Sequence, residues 1–202
     1  MNDWTKEQNA VYKTIGASNH TNEAREADDY YATDPQAIDK LLTVVNPYNR
    51  IWEPACGGGH LSERLTELGY YVYSSDIVDR GYKRHTRTRD FLKAVDSPFN
   101  GNFDIITNPP YKYAKEFVLK ALELLPHGCR CFMFLKLTFL ESKARYNEIF
   151  KRTPPKAVYA LPERLQCAKN GNFERYKNGA LAYGWFVWQK GWTGQTILDW
   201  FE

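Results

Sequence analysis

Asn108-Pro109-Pro110-Tyr111 is the stretch of this chain whose residue types point most directly to chemistry. It follows an apolar run, residues 103–107, and precedes a helical pattern. Each proline fixes its φ at about −65° and holds the residue before it extended. Asn108 and Pro109 are therefore both extended, and the Asn108 side-chain oxygen and the Pro109 carbonyl become two acceptors in a nearly fixed relation. Tyr111 adds a flat face beside them. Two acceptors and a ring suit an exocyclic amino group on a planar base: the acceptors take both of its hydrogens while the base stacks on the ring. Pro-Pro alone would read as a structural strand exit with Tyr111 in the core. Asn directly before and an aromatic directly after favour the amine-binding reading.

A second stretch, Glu53-Pro54-Ala55-Cys56-Gly57-Gly58-Gly59-His60, lies about fifty residues earlier. It follows a strand pattern and opens a helix, the position at which parallel sheets bind ligands. Glycines there let the backbone approach a ligand that a Cβ would push away. The dinucleotide pattern GxGxxG is absent, and no Gly-Lys-Ser/Thr supports a phosphate loop. Asp76, 19 residues after Gly57 at the end of the next strand, is placed to accept ribose hydroxyls. Glu53, at the end of the first strand, is placed to meet a cationic amino group. Two acids around a glycine turn suit an adenosyl ligand with an ammonium and a sulfonium better than a pyrophosphate. The plain alternative is a tight strand–helix turn with two solvated acids.

These residues need a scaffold, and the hydrophobic pattern describes one. Strands are expected at 50–55, 70–77, 103–108, 129–137, 156–161 and 183–191. Helices are expected from Pro35, with Asp34 as its cap, and at 61–68, 113–125 and 140–151. Strands alternate with helices, so the fold class is α/β with a mostly parallel sheet and an antiparallel hairpin at one edge. Residues 1–30 are polar and aperiodic and read as a mobile arm; residues 31–202 read as one catalytic domain. Trp185 and Trp188 read as packing residues, not as base stackers.

Composition narrows the partners. Net charge is +3, but residues 112–190 carry 15 basic and 6 acidic side chains, a local excess that suits a polyanion. Two stretches mix cations with polar and aromatic residues. One runs from 79 to 90 with Arg80, Lys83, Arg84, Arg87 and Arg89. The other runs from 162 to 183 with Arg164, Lys169, Arg175 and Lys177. Either is also readable as an exposed loop. Cys56, Cys129, Cys131 and Cys167 form no CxxC pair and read as free thiols, so no metal site is expected. No apolar run approaches the length of a membrane span and no signal peptide is evident, so the default location is the cytoplasm.

The pair EPACGGG and TNPPY, in that order, resembles the motifs of S-adenosylmethionine-dependent adenine-N6 DNA methyltransferases, small phage-type members in particular. The resemblance spans about residues 30–190. It implies a Rossmann-like class I methyltransferase fold with a seven-stranded sheet. It implies that Tyr31 and Thr33, within YYATDP, lie by the methionine moiety. It implies that Glu53, Pro54, Ala55, Gly57, Gly59 and Asn108 line the cofactor, that Asp76 is the ribose acid with Ile77 as its apolar neighbour at the cofactor, and that Asp90 and Phe91 contact its adenine. A flipped-out adenine would stack on Tyr111, with Asn108, Pro109, Pro110 and Tyr111 as the catalytic set and no metal. Lys169, Arg175 and Lys177 are then substrate-binding candidates.

The chain departs from sequence-specific members in leaving no room for a separate target-recognition domain. Recognition would come from loops, the N-terminal arm or a second subunit, as a homodimer or with a specificity partner. Tetrapeptides of the Asn-Pro-Pro-Tyr type also occur in enzymes that methylate a protein glutamine or a guanine amine. RNA or protein methylation, and a catalytically silent DNA-binding module, are the competing readings.

Overall fold

The computed structural model describes residues 31–163, 165, 167–169 and 181–201. The expected arm over residues 1–30, together with Arg164, Arg175 and Lys177, lies outside the described residues.

Eight strands form one sheet: β2 (Arg50–Glu53), β3 (Tyr71–Asp76), β4 (His85–Thr88), β5 (Asp104–Thr107), β6 (Arg130–Lys136), β7 (Ala157–Ala160), β9 (Tyr183–Gln189) and β10 (Ile197–Trp200). Their spatial order is β10-β7-β9-β6-β5-β2-β3-β4. β9 runs antiparallel to β6 and β7, and every other pairing in the sheet is parallel. Two further strands, β1 (Tyr31–Thr33) and β8 (Cys167–Lys169), pair antiparallel with each other as a separate ribbon.

The α/β class with a mostly parallel sheet is as the sequence predicts. The sheet differs in two ways. It has eight strands instead of seven, and β9 lies inside it, between β6 and β7, with β10 outside. Both unanticipated sheet strands are edges: β4 is polar and largely exposed, and all four residues of β10 are exposed. Neither buries a face, so neither carries the alternation that marks a strand. The expected helix over 140–151 is a 3₁₀ turn (Leu137–Leu140), one α turn (Lys143–Arg145) and a π turn (Tyr146–Phe150). Ser142 starts the α turn by accepting the Arg145 N–H at 3.3 Å. The Arg145 side chain donates to the carbonyls of Thr138, Phe139 and Glu141, so local bonding shapes this segment more than an apolar stripe does.

Three helices cover the sheet: α1 (Gln36–Val44), α2 (His60–Glu67) and α3 (Ala114–Leu124). Asp34 Oδ1 accepts the Gln36 N–H at 2.9 Å, satisfying a donor that the first turn leaves open. Alternation along the strands divides the core. Ile105, Cys131, Met133, Phe186 and Trp188 pack on the α3 side with Phe117, Val118 and Ala121. Ile51, Ile106, Phe132, Phe134 and Trp185 pack on the α1–α2 side with Ile38, Leu41, Leu61 and Leu65. Strands covered on both faces lose their polar positions, which is why β5 reads as an unbroken buried run. Both tryptophans are core residues: Trp185 Nε1 donates to the Ala37 carbonyl at 2.8 Å and Trp188 Nε1 to the Thr153 carbonyl at 3.0 Å. Cys56, Cys129 and Cys131 are buried and Cys167 is half-buried, all as free thiols.

Strand order reverses between β2 and β5. Beyond their carboxyl ends lies the crevice in which parallel sheets hold ligands. Glu53 ends β2, Asp76 ends β3, and Asn108 follows β5 directly.

Candidate active site

The site begins at Asn108. Its Nδ2 donates to the Tyr31 carbonyl at 3.1 Å and to Thr33 Oγ1 at 2.8 Å, both on β1. A carbonyl only accepts, so the amide nitrogen faces β1 and the oxygen is turned the other way. Asn108 therefore presents an acceptor whose direction is set by a strand 75 residues earlier in the chain. Pro110 is extended (φ −53°, ψ 120°), and its carbonyl accepts the Tyr113 N–H at 2.8 Å, closing the turn into α3. Among the described residues none donates to the Pro109 carbonyl. Tyr111 is 37% exposed. Its hydroxyl lies 3.2 Å from Thr138 Oγ1, and Lys136 Nζ sits 4.6 Å from the ring centre, over one face. The ring is thus held at its rim and on one side, with part of its surface open.

β1 reaches Asn108 because it pairs with β8, Tyr31 opposite Lys169 and Thr33 opposite Cys167. Cys167 Sγ lies 4.0 Å from Asn108 Nδ2 and hydrogen-bonds with the side chains of Tyr183 and Thr33. Burial pushes that thiol up to about 11. Tyr183 stacks on Phe134, ring centres 5.2 Å apart, and burial raises its phenol in turn. Thr33, Cys167 and Tyr183 therefore form a largely neutral wall that keeps the Asn108 amide in place.

The glycine turn follows β2, the parallel neighbour of β5. Gly57 and Gly59 have φ of +53° and +84°, left-handed conformations that side chains resist. A Cβ on Gly59 would come within 2.3 Å of the Tyr82 ring. Tyr82 is held by a 2.9 Å bond from its hydroxyl to Glu63 Oε2. Asp76 Oδ2 accepts the Gly57 N–H at 2.8 Å and Oδ1 accepts the Val78 N–H at 3.0 Å. Each oxygen keeps a second lone pair, an acceptor set that suits the two hydroxyls of a vicinal diol. Ile77, beside it, is 57% exposed and offers an apolar face.

Glu53 sits differently from its neighbours. Alternation along β2 turns it to the same side as Ile51, beneath α2, and it is 2% exposed. Ser62 Oγ–H donates to Glu53 Oε2 in a short bond, and Ser62 Oγ lies 2.6 Å from Ser74 Oγ. Desolvation pushes the Glu53 carboxyl up to about 8; the Ser62 bond opposes this, and nearby Asp76 adds to it. Glu53 is thus screened from solvent and held by the Ser62 hydroxyl of α2. Pro54 is buried and Ala55 half-buried in the turn that leads to Gly57.

Asp90 caps the turn Phe91–Lys93, accepting the Leu92 N–H at 3.0 Å. Phe91 is 2% exposed, its ring 5.0 Å from Trp52 and 4.9 Å from Phe117, so any ligand contact from it runs through its backbone. Of the basic stretch 79–90, Arg84 pairs with Glu63 at 3.0 Å, and Arg89 pairs with Asp96 at 2.8 Å while lying over Trp52. Lys169 is positioned by its backbone in β8. A cleft of about 520 Å³ runs from the glycine turn along α2, bordered by Gly59, His60, Glu63 and Tyr82; neither Asp76 nor Asn108 lines it.

Sequence reasoning missed Ser62, Ser74, Lys136, Thr138 and Tyr183. Lys136 and Thr138 had a usable signal: Lys136 ends the strand next to β5 and Thr138 follows it, so parallel register brings them beside the Asn-Pro-Pro-Tyr turn. The serines had none, since their role depends on Glu53 being buried.

No protein-family model matches the chain, and no curated protein matches it. Solved structures do. A protein assigned as a class I S-adenosylmethionine-dependent methyltransferase from Listeria monocytogenes superposes with a TM-score of 0.58 at 15% identity, covering 98% of this chain and 72% of that one. A protein assigned as a modification subunit of a type I restriction enzyme from Vibrio vulnificus gives 0.59 at 15% identity, over 98% of this chain and 53% of that one. A protein assigned as a hemolysin from Lactococcus lactis gives 0.56 at 12% identity, over 81% and 91%. Likeness at such identity extends across proteins with different assigned activities, so it speaks to architecture and not to substrate. The chain has the Rossmann-like fold of class I S-adenosylmethionine-dependent methyltransferases.

Proposed function

We propose that this protein transfers a methyl group from S-adenosylmethionine to the N6 amino group of an adenine flipped out of DNA. The observation that carries the reading is the Asn108 amide. Its nitrogen is committed to Tyr31 and Thr33, so its oxygen is available as an acceptor beside the Pro109 carbonyl and the open part of Tyr111. That set suits an aromatic exocyclic amine, which has two hydrogens to donate and a flat ring to stack.

The turn after β2 and the end of β3 suit the cofactor. Asp76 would take the ribose diol, Ile77 would pack on the adjoining base, and the Gly57–Gly59 turn would let the backbone come close. S-adenosylmethionine, when bound, supplies an electrophilic methyl group on a sulfonium. The chain's own part is to hold the amine. Asn108 Oδ1 and the Pro109 carbonyl draw on its two hydrogens and favour a tetrahedral nitrogen, and Tyr111 fixes the plane of the base. Catalysis of this kind rests on positioning and on fixed dipoles. The basic excess over residues 112–190 suits a polyanion as the substrate.

The test is to incubate the protein with S-adenosylmethionine carrying a labelled methyl group and a panel of DNA, RNA and protein. Label in DNA, lost in Asn108→Ala, supports the reading. Label confined to RNA or to protein overturns the choice of polymer.

A further inference from the structure

Two exposed segments border Tyr111 and concentrate cations among aromatic rings. One is the turn Tyr111–Tyr113. Lys112 is exposed there, its Nζ 5.1 Å from the Tyr113 ring centre, and Tyr113 is 43% exposed. The other starts at the last residue of β6. It carries Lys136 over Tyr111, exposed Lys143, and Tyr146 at 55% exposure. The segments are joined: Lys115 Nζ, at the start of α3, lies 2.6 Å from Glu148 Oε2, and the Tyr111 hydroxyl meets Thr138. Arg145 is engaged with three carbonyls and gives the second segment a fixed shape.

Place separates this rim from the other cationic stretch: it adjoins Tyr111. In the stretch 79–90, Arg84 and Arg89 have carboxylate partners, while exposed Lys83 and Arg87 form no ion pair among the described residues. Lys112 and Lys143 form no ion pair among the described residues, and Glu141 is the one acid between Lys136 and Tyr146. Cations interleaved with exposed rings on a rigid rim suit a strand whose phosphates need neutralising and whose bases can stack.

We propose that this rim holds the DNA strand that carries the target base. Lys112 and Lys143 contact the phosphates flanking the flipped nucleotide. Lys136 occupies one face of Tyr111 and leaves the opposite face for the base, which makes it a positioning residue. The inference rests on the reading of the site as a DNA methyltransferase and adds where the polymer lies.

The experiment compares wild type with Lys112→Glu, Lys143→Glu and the double variant. Affinity for an adenine-containing duplex is read by fluorescence anisotropy over a salt series, with S-adenosylhomocysteine binding by calorimetry as the check on folding. Each reversal is expected to weaken DNA binding about tenfold. Each is also expected to flatten the slope of log affinity against log salt by about 0.9, the value for one lost phosphate contact on duplex DNA. In turnover, KM for DNA should rise by a larger factor than kcat falls. A double variant with wild-type affinity and salt slope, and intact cofactor binding, overturns the rim while leaving the methyltransferase reading in place. A wild type that labels only RNA or protein overturns both.

Discussion

At the scale of single residues, the proposed activity depends on which way the Asn108 amide faces. Asn108→Asp replaces the nitrogen with an oxygen 3.1 Å from the Tyr31 carbonyl, setting acceptor against acceptor. We expect about a hundredfold loss of kcat at pH 8, partly recovered at lower pH as the new carboxyl takes up a proton and can donate. Thr33→Val removes one partner of the amide without changing its size; kcat should fall about tenfold with little change in cofactor affinity. Steady-state rates over pH 6–9 check both. Glu53 gives a separate prediction about stability. Its carboxyl ionises near 4.5 when exposed and near 8 when folded. The folded chain therefore holds its proton more tightly. The contribution is fully present below pH 4.5 and is lost as pH rises through 8. Melting temperature of the free protein should fall between pH 5 and pH 8, and Glu53→Gln should flatten that fall. The positions of Asp76 at the end of β3 and of Asn108 and Tyr111 just after β5 were legible in the sequence because apolar strand patterns precede them. The burial of Glu53 was not, because strand alternation and the closeness of α2 decide it together.

At the scale of elements, legibility followed burial. Strands β2, β3, β5, β6, β7 and β9 and helices α1, α2 and α3 bury apolar faces and announced themselves by periodicity. Edge strands β4 and β10 bury little and stayed hidden. The β1–β8 ribbon was hidden for another reason. Its registration joins Tyr31 to Lys169 across most of the chain, and no local pattern encodes a pairing so distant. That ribbon is nonetheless what orients Asn108. The glycine turn offers a test at this scale. Gly59→Ala forces a side chain into a left-handed position, at about 1–2 kcal/mol, and drives its Cβ into Tyr82. Urea unfolding should show a loss larger than the backbone term alone. Adding Tyr82→Ala in the same chain should remove the clash and leave the backbone term. Equal losses with and without the Tyr82 ring would show that the two do not oppose each other.

At the scale of the whole molecule, the sheet reverses its strand order between β2 and β5, and this brings two distant motifs to the same end of the sheet, after neighbouring parallel strands. Fifty residues separate them in sequence, yet each follows a strand that neighbours the other. The basic excess over residues 112–190 also takes on a place: part of it rims Tyr111. Architecture and charge together suit methyl transfer to a base in a polyanion, and the Asn108 acceptor suits its exocyclic amine. The most direct measurement is mass analysis of nucleosides from DNA treated with the protein and S-adenosylmethionine bearing a deuterated methyl group. The account predicts N6-methyladenine carrying the deuterated methyl, absent with Asn108→Ala. A deuterated methyl on cytosine or guanine, or N6-methyladenine undiminished in Asn108→Ala, would contradict it.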